Sequence, residues 1–299
     1  MRHSLREITE IVLRKYGKPI PDAAYLSMQY WLMFGAGLNL KDPKSFNEKL
    51  QWLKLHDRSP LYTTLVDKLA VKQWVIDRIG EEYVTPSFGY WDRAELIDLS
   101  KLPSEFVLKT NHDCGGVVIC RDKESFCLND AIPFLNRHLK RNYYWGCREW
   151  PYKNVHPMVF AEQYLQPECD GDNVETIDYK FYCFNGKPEF LYVSQGLDKH
   201  ETARISFLTL DWAFADFKRH DYYNFEVLPE KPRSFNEMER LARLLSEGIP
   251  FVRVDFFEYK GRPRFSEMTF TPCGGFMQFD PPDWDLKVGS LLDLSSINN

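Results

Sequence analysis

An alternating run of residues that turns back on itself constrains this chain more than any other feature. The stretch PFVRVDFFEYKGRPRFSEMTFTP, residues 250–272, has two alternating runs on either side of YKGRP. Alternation with a period of two is the pattern of a β-strand, and the glycine between the runs predicts a hairpin. A three-residue loop at 260–262 places Asp255 directly opposite Glu267. The chain is therefore predicted to contain an antiparallel sheet on which two acids face each other.

The predicted hairpin has one charged face. Arg253 and Thr269 fall opposite each other on the side that carries the two acids, whereas the intervening positions are apolar. Like charges opposed across strands destabilise a sheet, so positive charge must offset Asp255 and Glu267. Arg253 alone supplies such a charge. A divalent cation bridged by both carboxylates also supplies it, with Thr269 as a further oxygen ligand, and hard oxygen ligands suit Mg²⁺. The pattern leaves both interpretations open.

A second feature is an apolar run that ends in a lysine and a glycine turn. In FVLKTNHDCGGVVIC, residues 106–120, Lys109 is followed by Gly115 and Gly116. Flexible residues can present backbone N–H groups to an oxyanion while a lysine supplies a point charge. Neither GxxxxGK[ST] nor GxGxxG occurs here. A lysine that reaches solvent beside an ordinary hairpin also explains the stretch. His112 is interpreted as an exposed loop histidine, with a contact to the ligand as the alternative.

The order of predicted elements indicates an α+β chain. The first hundred residues are mostly helical in pattern, and capping boxes are predicted at Ser45 with Glu48 and at Ser234 with Glu237. After about residue 105 the pattern changes to short strands with interspersed helices, which indicates mostly antiparallel sheets. Strands are predicted at 106–109, 116–121, 158–164, 176–184, 187–194, 204–210, 250–258 and 263–270.

Composition and charge argue against several classes of function. With 38 basic and 43 acidic residues the formal charge is −5, so the chain is not expected to bind nucleic acid. No apolar stretch reaches the roughly 18 residues of a transmembrane helix, although the amphipathic first helix leaves peripheral membrane association open. Seven cysteines without metal-site spacing indicate reduced thiols and a cytoplasmic protein. The sequence does not fix the oligomeric state.

Four segments resemble the ATP-grasp fold in order and spacing: FVLKTNHDCGG, FAEQYL, DYKFYCFNGK and RVDFFEYKGRPRFSEMTFTP. They are most similar to the TupA-like branch, which is linked to teichuronopeptide and capsular polysaccharide synthesis, and the similarity runs from about Pro43 to about Gly289. The resemblance implies an α+β ATP-grasp fold whose mostly antiparallel sheets grip ATP. A mainly helical region, 1–104, would precede a lid subdomain, 105–165, and a C-terminal subdomain with the metal site, 166–299.

The resemblance also implies roles for individual residues. The implied contacts to ATP, beneath a lid at 111–116, are Lys109, Gly115, Gly116, Glu162, Gln163, Leu165, Asp170 (or Glu168) and Lys180. The implied Mg²⁺ ligands are Asp255, Glu267 and Thr269, and Thr269 stands where the family commonly has asparagine. The implied catalytic cations are Arg253 and Lys180. Residues expected to line the substrate site are Arg204, Thr271 and Gly274.

The implied activity is that of an ATP- and Mg²⁺-dependent carboxylate–amine ligase. Such an enzyme phosphorylates a carboxylate, and an amine then attacks the acylphosphate. The substrate would be a small molecule or glycan, namely a uronic-acid-containing polysaccharide or its precursor that receives an amino acid or amine. Two alternatives stay open. One is a glycosyltransferase, for which DGD at 170–172 matches an Asp-x-Asp motif. The other is a nucleotide-binding module or phosphotransferase without ligation.

Overall fold

The structure of the protein, a computed structural model, describes residues 9, 12–13, 15–165, 177–197, 202–295 and 297. Within these ranges no helix combines the length and the apolar character needed to cross a lipid bilayer. The six cysteines in the described ranges are free thiols. The elements alternate between helices and antiparallel sheets, so the predicted α+β class is confirmed.

From residue 17 onward, four α-helices of the described chain precede the sheets, and the last two are separated by a break that contains Lys68. The helices are α1 (Asp22–Phe34), α2 (Phe46–His56), α3 (Pro60–Val66) and α4 (Val71–Ile79). The pattern in LVDKLAVKQWVIDRIG predicts a single helix there, but the chain breaks at Asp67. The Oδ1 atom of Asp67 accepts hydrogen bonds from the backbone N–H groups of Leu69 at 2.9 Å and Ala70 at 3.1 Å. This local turn competes with continuation of the helix.

The two predicted capping boxes have different outcomes. The Ser45 hydroxyl accepts from the Glu48 N–H at 3.2 Å, and the Glu48 carboxylate accepts from the Ser45 N–H at 3.1 Å, as predicted. Helix α7 (Phe235–Ser246) has Ser234 at its N-cap without a side-chain cap bond. The Ser234 hydroxyl instead donates to Glu258 Oε2 at 2.6 Å, so a tertiary hydrogen bond replaces the local cap.

A four-stranded antiparallel sheet forms the smaller of two layers, with strand order β1-β4-β2-β3. Its strands are β1 (Ser87–Trp91), β2 (Phe106–Thr110), β3 (Val117–Cys120) and β4 (Val159–Gln163). Helix α5 (Leu128–Leu139) covers it through an apolar core that includes Phe106 and Leu135. The edge strand β1 comes from the predicted helical region and pairs with β4, so the small sheet takes a strand from before residue 105.

A five-stranded antiparallel sheet forms the larger layer, with strand order β10-β9-β5-β6-β7. Its strands are β5 (Ile177–Phe184), β6 (Lys187–Gln195), β7 (Arg204–Thr209), β9 (Phe251–Tyr259) and β10 (Arg262–Thr269). One face packs on α7 through residues such as Phe181 and Leu241. Toward one end, the other face packs on α2 through an aromatic cluster that includes Phe46 and Tyr182.

Two further strands and two further helices lie in the described part of the chain. The strands β8 (Lys218–Arg219) and β11 (Phe279–Asp280) form a two-stranded sheet. Helix α6 (Tyr144–Cys147) lies between β3 and β4 in sequence, and α8 (Trp284–Leu291) packs beside α2. Phe217, directly before β8, joins the aromatic cluster on the large sheet. The two-stranded sheet is therefore anchored on the face of the large sheet that carries the charged residues described below.

The turn of the predicted hairpin is shorter than expected. Tyr259 pairs with Arg262, so the loop has two residues and not three. Lys260 has φ 52° and Gly261 has φ 67°. Positive φ at both central positions is the backbone of a type I′ turn, whose twist matches that of the flanking strands. The predicted three-residue loop is therefore wrong.

A bulge restores the predicted register next to the acids. The pairing of β9 with β10 shifts between Phe265 and Glu267, which leaves Ser266 as an extra residue on β10. Glu267 then lies opposite Asp255, as the alternation predicts. One residue fewer in the turn and one more in the strand cancel, so the same face carries both acids.

Candidate functional site

The two predicted metal acids lie in one cluster with Arg253. The Arg253 guanidinium donates to both oxygens of Asp255, from Nε at 2.7 Å and from Nη2 at 2.6 Å. Its Nη2 also donates to Glu267 Oε1 at 3.1 Å and to Thr269 Oγ1 at 2.9 Å. Asp255 is fully buried. A bidentate fork of this kind is a strong charge-assisted contact, and it offsets the repulsion between the opposed acids.

The neighbouring strand β5 adds a second cation. Lys180 lies opposite Asp255, and its Nζ donates to Asp255 Oδ2 at 2.9 Å and is 3.7 Å from Asp178 Oδ2. Burial opposes ionisation of this ammonium group, but Asp178 and Asp255 raise the pKa of Lys180 above its usual value. Lys180 therefore stays charged inside the protein. Three adjacent strands contribute charged groups to one face of the sheet.

Glu267 is the more accessible of the two acids. Burial raises the pKa of its carboxyl, but Lys68, Lys180 and Arg253 outweigh burial and lower the pKa to about 2. About a third of its side chain, 32%, is exposed, whereas the side chain of Asp255 is 0% exposed. The site thus offers solvent an ionised carboxylate next to a buried one.

The oxygen atoms of this cluster fit a hard divalent cation. Asp255, Glu267 and Thr269 contribute two carboxylates and one hydroxyl from a single face, as the resemblance implies. In the described ranges, no group of three or more His, Cys, Asp and Glu side chains could hold a metal ion. Mg²⁺ commonly uses one or two carboxylates and takes its other ligands from water and substrate phosphates. The residues present suit a cation that arrives with a phosphate-bearing ligand.

The small sheet contributes a separate basic group. Glu162 on β4 forms ion pairs with both Lys109 and Lys72, and Lys72 Nζ lies 2.9 Å from Glu162 Oε2. Lys72 also donates to the Thr85 carbonyl and the Ser87 hydroxyl, each at 2.7 Å. Burial raises the pKa of Glu162, but the two lysines lower it below its usual value. Two ammonium groups share one carboxylate, so the group keeps net positive charge.

A pocket between the sheets brings the basic group and the hairpin together. Its lining residues are Lys68, Lys72, Val84, Thr85, Lys109, Phe160, Glu162, Phe257, Phe265 and Ser266. Lys72 and Lys109 enter from the side of the small sheet, whereas Phe257 and Ser266 come from the hairpin. Lys68 lies between them, because its Nζ donates to the Asp113 carbonyl at 2.6 Å while its charge acts on Glu267. The three lysines therefore line a cleft whose hairpin wall includes Ser266, the residue before Glu267, and Lys68 connects the cleft electrostatically to the acid pair.

The predicted lid at 111–116 is partly a buried structural segment. Asn111, His112 and Asp113 are 0%, 2% and 3% exposed. The His112 Nε2 atom lies 3.1 Å from the Arg141 carbonyl. The interpretation of His112 as an exposed loop histidine is therefore wrong, because its ring is packed and hydrogen-bonded.

The two glycines of this turn serve different purposes. A Cβ atom on Gly116 would lie 1.8 Å from Thr110 Oγ1 and 2.9 Å from Asp113 Oδ1. Gly116 therefore lets the Thr110 hydroxyl donate to the Asp113 carboxylate. Gly115 has open space around it but a φ of +81°, which L side chains rarely adopt. One glycine is required by crowding and the other by backbone conformation.

The remaining nucleotide contacts implied by the resemblance are only partly described. Gln163 ends β4 with an exposed side chain, and Leu165 is half-buried two residues later. Asp170 and Glu168 lie outside the described residues, as does the DGD stretch at 170–172. The side chain of Glu162 is occupied by Lys72 and Lys109.

The three predicted substrate residues do not lie together. The Thr271 hydroxyl donates to the buried carboxylate of Glu149, and the Gly274 carbonyl accepts from Lys54 at 2.6 Å. Arg204 is exposed at the start of β7. Side chains alternate along a strand, and Phe207 is in register with Tyr192 and Lys180, so Arg204 points to the opposite face of the sheet. The structure does not bring Arg204 together with the acids.

Sequence reasoning missed four charged residues, of which Lys68 and Lys72 are half-buried and line the cleft. Lys68 lies in the helix break and Lys72 on α4, so a helical spacing does not pair them. Lys54 is 3% exposed and donates to Gln51 Oε1, the Cys147 carbonyl and the Gly274 carbonyl. No local pattern distinguishes Lys54 or Glu149 from surface residues.

One protein family matches most of the chain. A family model described as TupA-like ATPgrasp matches residues 48–293. No curated protein sequence matches the chain.

Several solved structures are similar at low identity. D-alanine–D-alanine ligase from Helicobacter pylori shows 14% identity and a TM-score of 0.47, with 84% of this chain and 70% of that chain covered. The RimK domain ATP-grasp protein from Sphaerobacter thermophilus shows 12% identity and a TM-score of 0.42, with 79% and 70% covered. D-alanine–D-alanine ligase from Bacillus anthracis, complexed with ATP, shows 18% identity and a TM-score of 0.38, with 69% of this chain covered. The match spans about half, 54%, of that ligase.

Proposed function

This chain belongs to the TupA-like ATP-grasp family, and we propose that it is an ATP- and Mg²⁺-dependent carboxylate–amine ligase that acts through an acylphosphate. Membership in the family confirms the predicted ATP-grasp fold and, with it, ATP and Mg²⁺ as the cofactors. One arrangement carries the proposal for this chain. Lys109 of the small sheet, Lys72 of α4 and Lys68 line a cleft whose other wall is the hairpin that carries the acid pair, and the charge of Lys68 acts on Glu267.

The charges suit a triphosphate held between the two sheets. Lys72 and Lys109 carry more positive charge than Glu162 neutralises, and they bind phosphate oxygens from one side of the cleft. Lys180 and Arg253 bind from the other side. An ammonium group acts as a point charge and a guanidinium as a planar fork, and both serve phosphate.

Phosphoryl transfer needs this kind of environment. The transferred group spreads negative charge over its oxygens, and preorganised cations stabilise that charge without reorganising. Asp255, Glu267 and Thr269 would hold Mg²⁺, which supplies further charge neutralisation when bound. Arg253 already bridges both acids, so it orients their carboxylates. The carboxylate substrate takes the phosphoryl group, and an amine then displaces phosphate to leave an amide.

The substrate that we propose is more specific than the residues of the site alone support. We propose that the acid is a uronic-acid unit of a polysaccharide or its precursor, and that the reaction takes place in the cytoplasm. The family resemblance of the sequence supports the glycan. An aromatic surface in the segment before β4 also supports it, because the partly exposed ring of Tyr143 packs on Tyr152 with centroids 4.9 Å apart. Sugars commonly stack on such surfaces.

ADP release measured across pairs of uronic acids and amino acids tests the proposal. We expect ADP and a matching amide, detected by mass spectrometry, and a loss of about a hundredfold or more in Asp255→Asn. Glu239→Gln, on the exposed side of α7, is the control and should keep the full rate. Thermal unfolding of both variants separates loss of chemistry from loss of fold.

Three results would contradict the ligase proposal. A near-normal rate in a folded Asp255→Asn variant would remove the metal assignment. Release of UDP from a UDP-sugar would favour the glycosyltransferase. Binding of ATP without amide formation from any pair would favour a binding module.

A further inference from the structure

A buried hydroxyl on the charged face of the large sheet has no partner. Tyr182 follows Lys180 by two residues on β5 and lies opposite Arg253 on β9. The residue is fully buried, and its hydroxyl makes no hydrogen bond within the described part of the chain. The hydroxyl of its neighbour Tyr192 accepts from Arg253 Nη1 at 3.4 Å. A buried hydroxyl without a hydrogen-bond partner is destabilising, so this position favours a ligand with hydrogen-bonding atoms.

Arg219 approaches this hydroxyl from β8. Phe217, two residues earlier, packs on Phe207 with ring centroids 4.7 Å apart and on Phe190 at 5.3 Å. Both rings lie on the charged face of the large sheet. Residues two apart in extended chain share a side, so Arg219 points toward the same face as Phe217. Only 13% of the Arg219 side chain is exposed.

The Arg219 guanidinium has capacity for an additional anion. Its Nε and Nη2 donate to the two oxygens of Asp221, at 2.9 Å and 2.5 Å. Its Nη1 makes no hydrogen bond within the described ranges, and the side chain of Asp221 is 40% exposed. Burial raises the pKa of the Tyr182 hydroxyl, and Arg253 and then Arg219 oppose that rise, which agrees with their proximity.

The position of Arg219 along the large sheet indicates which substrate would supply the additional anion. Asp178, Lys180 and Tyr182 follow one another on the same face of β5, leading away from Phe257 in the pocket between the sheets. Arg253 lies beside Tyr182, so Arg219 is on the far side of Arg253 from the nucleotide. In a ligase, the reacting carboxylate occupies the middle of this row and the amine approaches from the far end.

We propose that Arg219 and the Tyr182 hydroxyl bind the α-carboxylate of an amino acid whose amine is the nucleophile of the ligation. The inference rests on the proposed ligase function and narrows its amine substrate to α-amino acids. The amine lone pair forms the new C–N bond, the acyl C–O bond breaks with its electrons leaving on phosphate, and the amine releases a proton to solvent. The α-carboxylate does not react, and it fixes the amine toward the acyl carbon through charge-assisted hydrogen bonding to Arg219 Nη1 and a hydrogen bond from the Tyr182 hydroxyl.

Calorimetric titration tests this inference without turnover. The protein is loaded with Mg·ADP and titrated with three pairs of probes: glycine and glycinamide, L-alanine and L-alaninamide, and L-glutamate and its α-amide. We expect at least one amino acid to bind about tenfold or more tightly than its amide, because loss of a charge-assisted bond costs that much. Arg219→Gln should abolish the preference, and Tyr182→Phe should reduce it several-fold.

The adjacent residue supplies the control. Lys218→Gln removes a charge whose side chain is 53% exposed and paired with Asp280, so the preference should remain. Binding of Mg·ADP by each variant shows that it is folded. The inference is overturned if the wild type that binds Mg·ADP shows no preference for any carboxylate probe. It is also overturned if Arg219→Gln or Tyr182→Phe keeps the full preference. A wild type that fails to bind Mg·ADP would instead contradict the ligase function on which the inference rests.

Discussion

At the scale of single residues, Glu267 links the candidate metal site to the pH dependence of stability. Burial raises the pKa of its carboxyl, but Lys68, Lys180 and Arg253 lower it from 4.5 to about 2. A group with a depressed pKa in the folded state contributes stability that is fully present above its unfolded pKa. That contribution is lost as pH falls from about 4.5 toward about 2.

Melting temperatures of the wild type and Glu267→Gln, compared across this pH range, test the linkage. We expect the wild type to melt at a higher temperature than the variant at neutral pH. This difference should shrink as the pH falls, and the two melting temperatures should converge in acid. A difference that stays constant from neutral pH to about pH 2 would show that the cations do not stabilise the Glu267 carboxylate.

Residues of the site were predictable where a local period fixes them. Alternation along one hairpin predicted that Asp255 and Glu267 are opposed, and the pairing holds because the shorter turn and the bulge at Ser266 cancel. Lys72 was not predictable in the same way. The helical pattern predicts a solvent-exposed side chain for Lys72. Only the pairing of β1 with β4 brings Ser87 and Glu162 to its ammonium group.

At the scale of elements, the β2–β3 turn is expected to tolerate change at one glycine and not at the other. Gly116→Ala forces a Cβ to within 1.8 Å of Thr110 Oγ1, so we expect a loss of about 1–3 kcal/mol in the free energy of unfolding. Gly115→Ala meets no neighbour but keeps a φ of +81°, and should cost about 1 kcal/mol. Urea unfolding measures both.

The same pair of variants tests the role of the turn at the nucleotide site. Gly116→Ala moves Thr110, which directly follows Lys109, so it should weaken binding of Mg·ADP more than Gly115→Ala does. Equal affinities in the two variants, or the opposite order, would argue that the packing of this turn does not position Lys109.

Elements were predicted where short-range interactions decide them and were wrong where longer-range bonds compete. The capping box of Ser45 and Glu48 is local and forms as predicted. Ser234 has the same local pattern, but Glu258 on β9 takes its hydroxyl. The helix predicted through Asp67 is divided by side-chain-to-backbone bonds that hydrophobic periodicity does not register.

At the scale of the whole molecule, a buried arginine, Arg148, holds helix α1 against the rest of the protein. Arg148 is 1% exposed, and its guanidinium lies 4.0 Å from the ring of Tyr25 on α1 and 4.7 Å from the ring of Trp145. Its Nη2 donates to the Gly17 carbonyl at 2.8 Å. The residues before α2 are thus tied to the segment between β3 and β4.

Replacing this arginine should be costly for the whole chain. We expect Arg148→Ala to lower the free energy of unfolding by about 3 kcal/mol or more, because it strips a buried cation–π and hydrogen-bond network. Lys153→Ala, at an exposed site nearby, should change it by less than about 0.5 kcal/mol. Urea unfolding of the two variants measures the difference, and similar values would show that α1 does not depend on Arg148.

The fold class was predictable from the sequence, but the arrangement of the elements that form the cleft was not. The alternating pattern after residue 105 predicts antiparallel sheets from the sequence alone, and the structure contains them. The cleft, however, depends on β1 from the helical region and on Lys68 in a helix break, and both follow from tertiary packing. Only the ordered resemblance to ATP-grasp proteins indicated that the two sheets share a nucleotide. The predicted division at residues 104 and 165 stays a prediction.

A crystal structure with a non-hydrolysable ATP analogue and Mg²⁺ tests the central claim most directly. The predicted result has the triphosphate in the cleft, with Lys72 and Lys109 on one side and Mg²⁺ bound by Asp255 and Glu267 on the other. A nucleotide bound elsewhere on the molecule, or one bound in the cleft with its metal away from both acids, would contradict it.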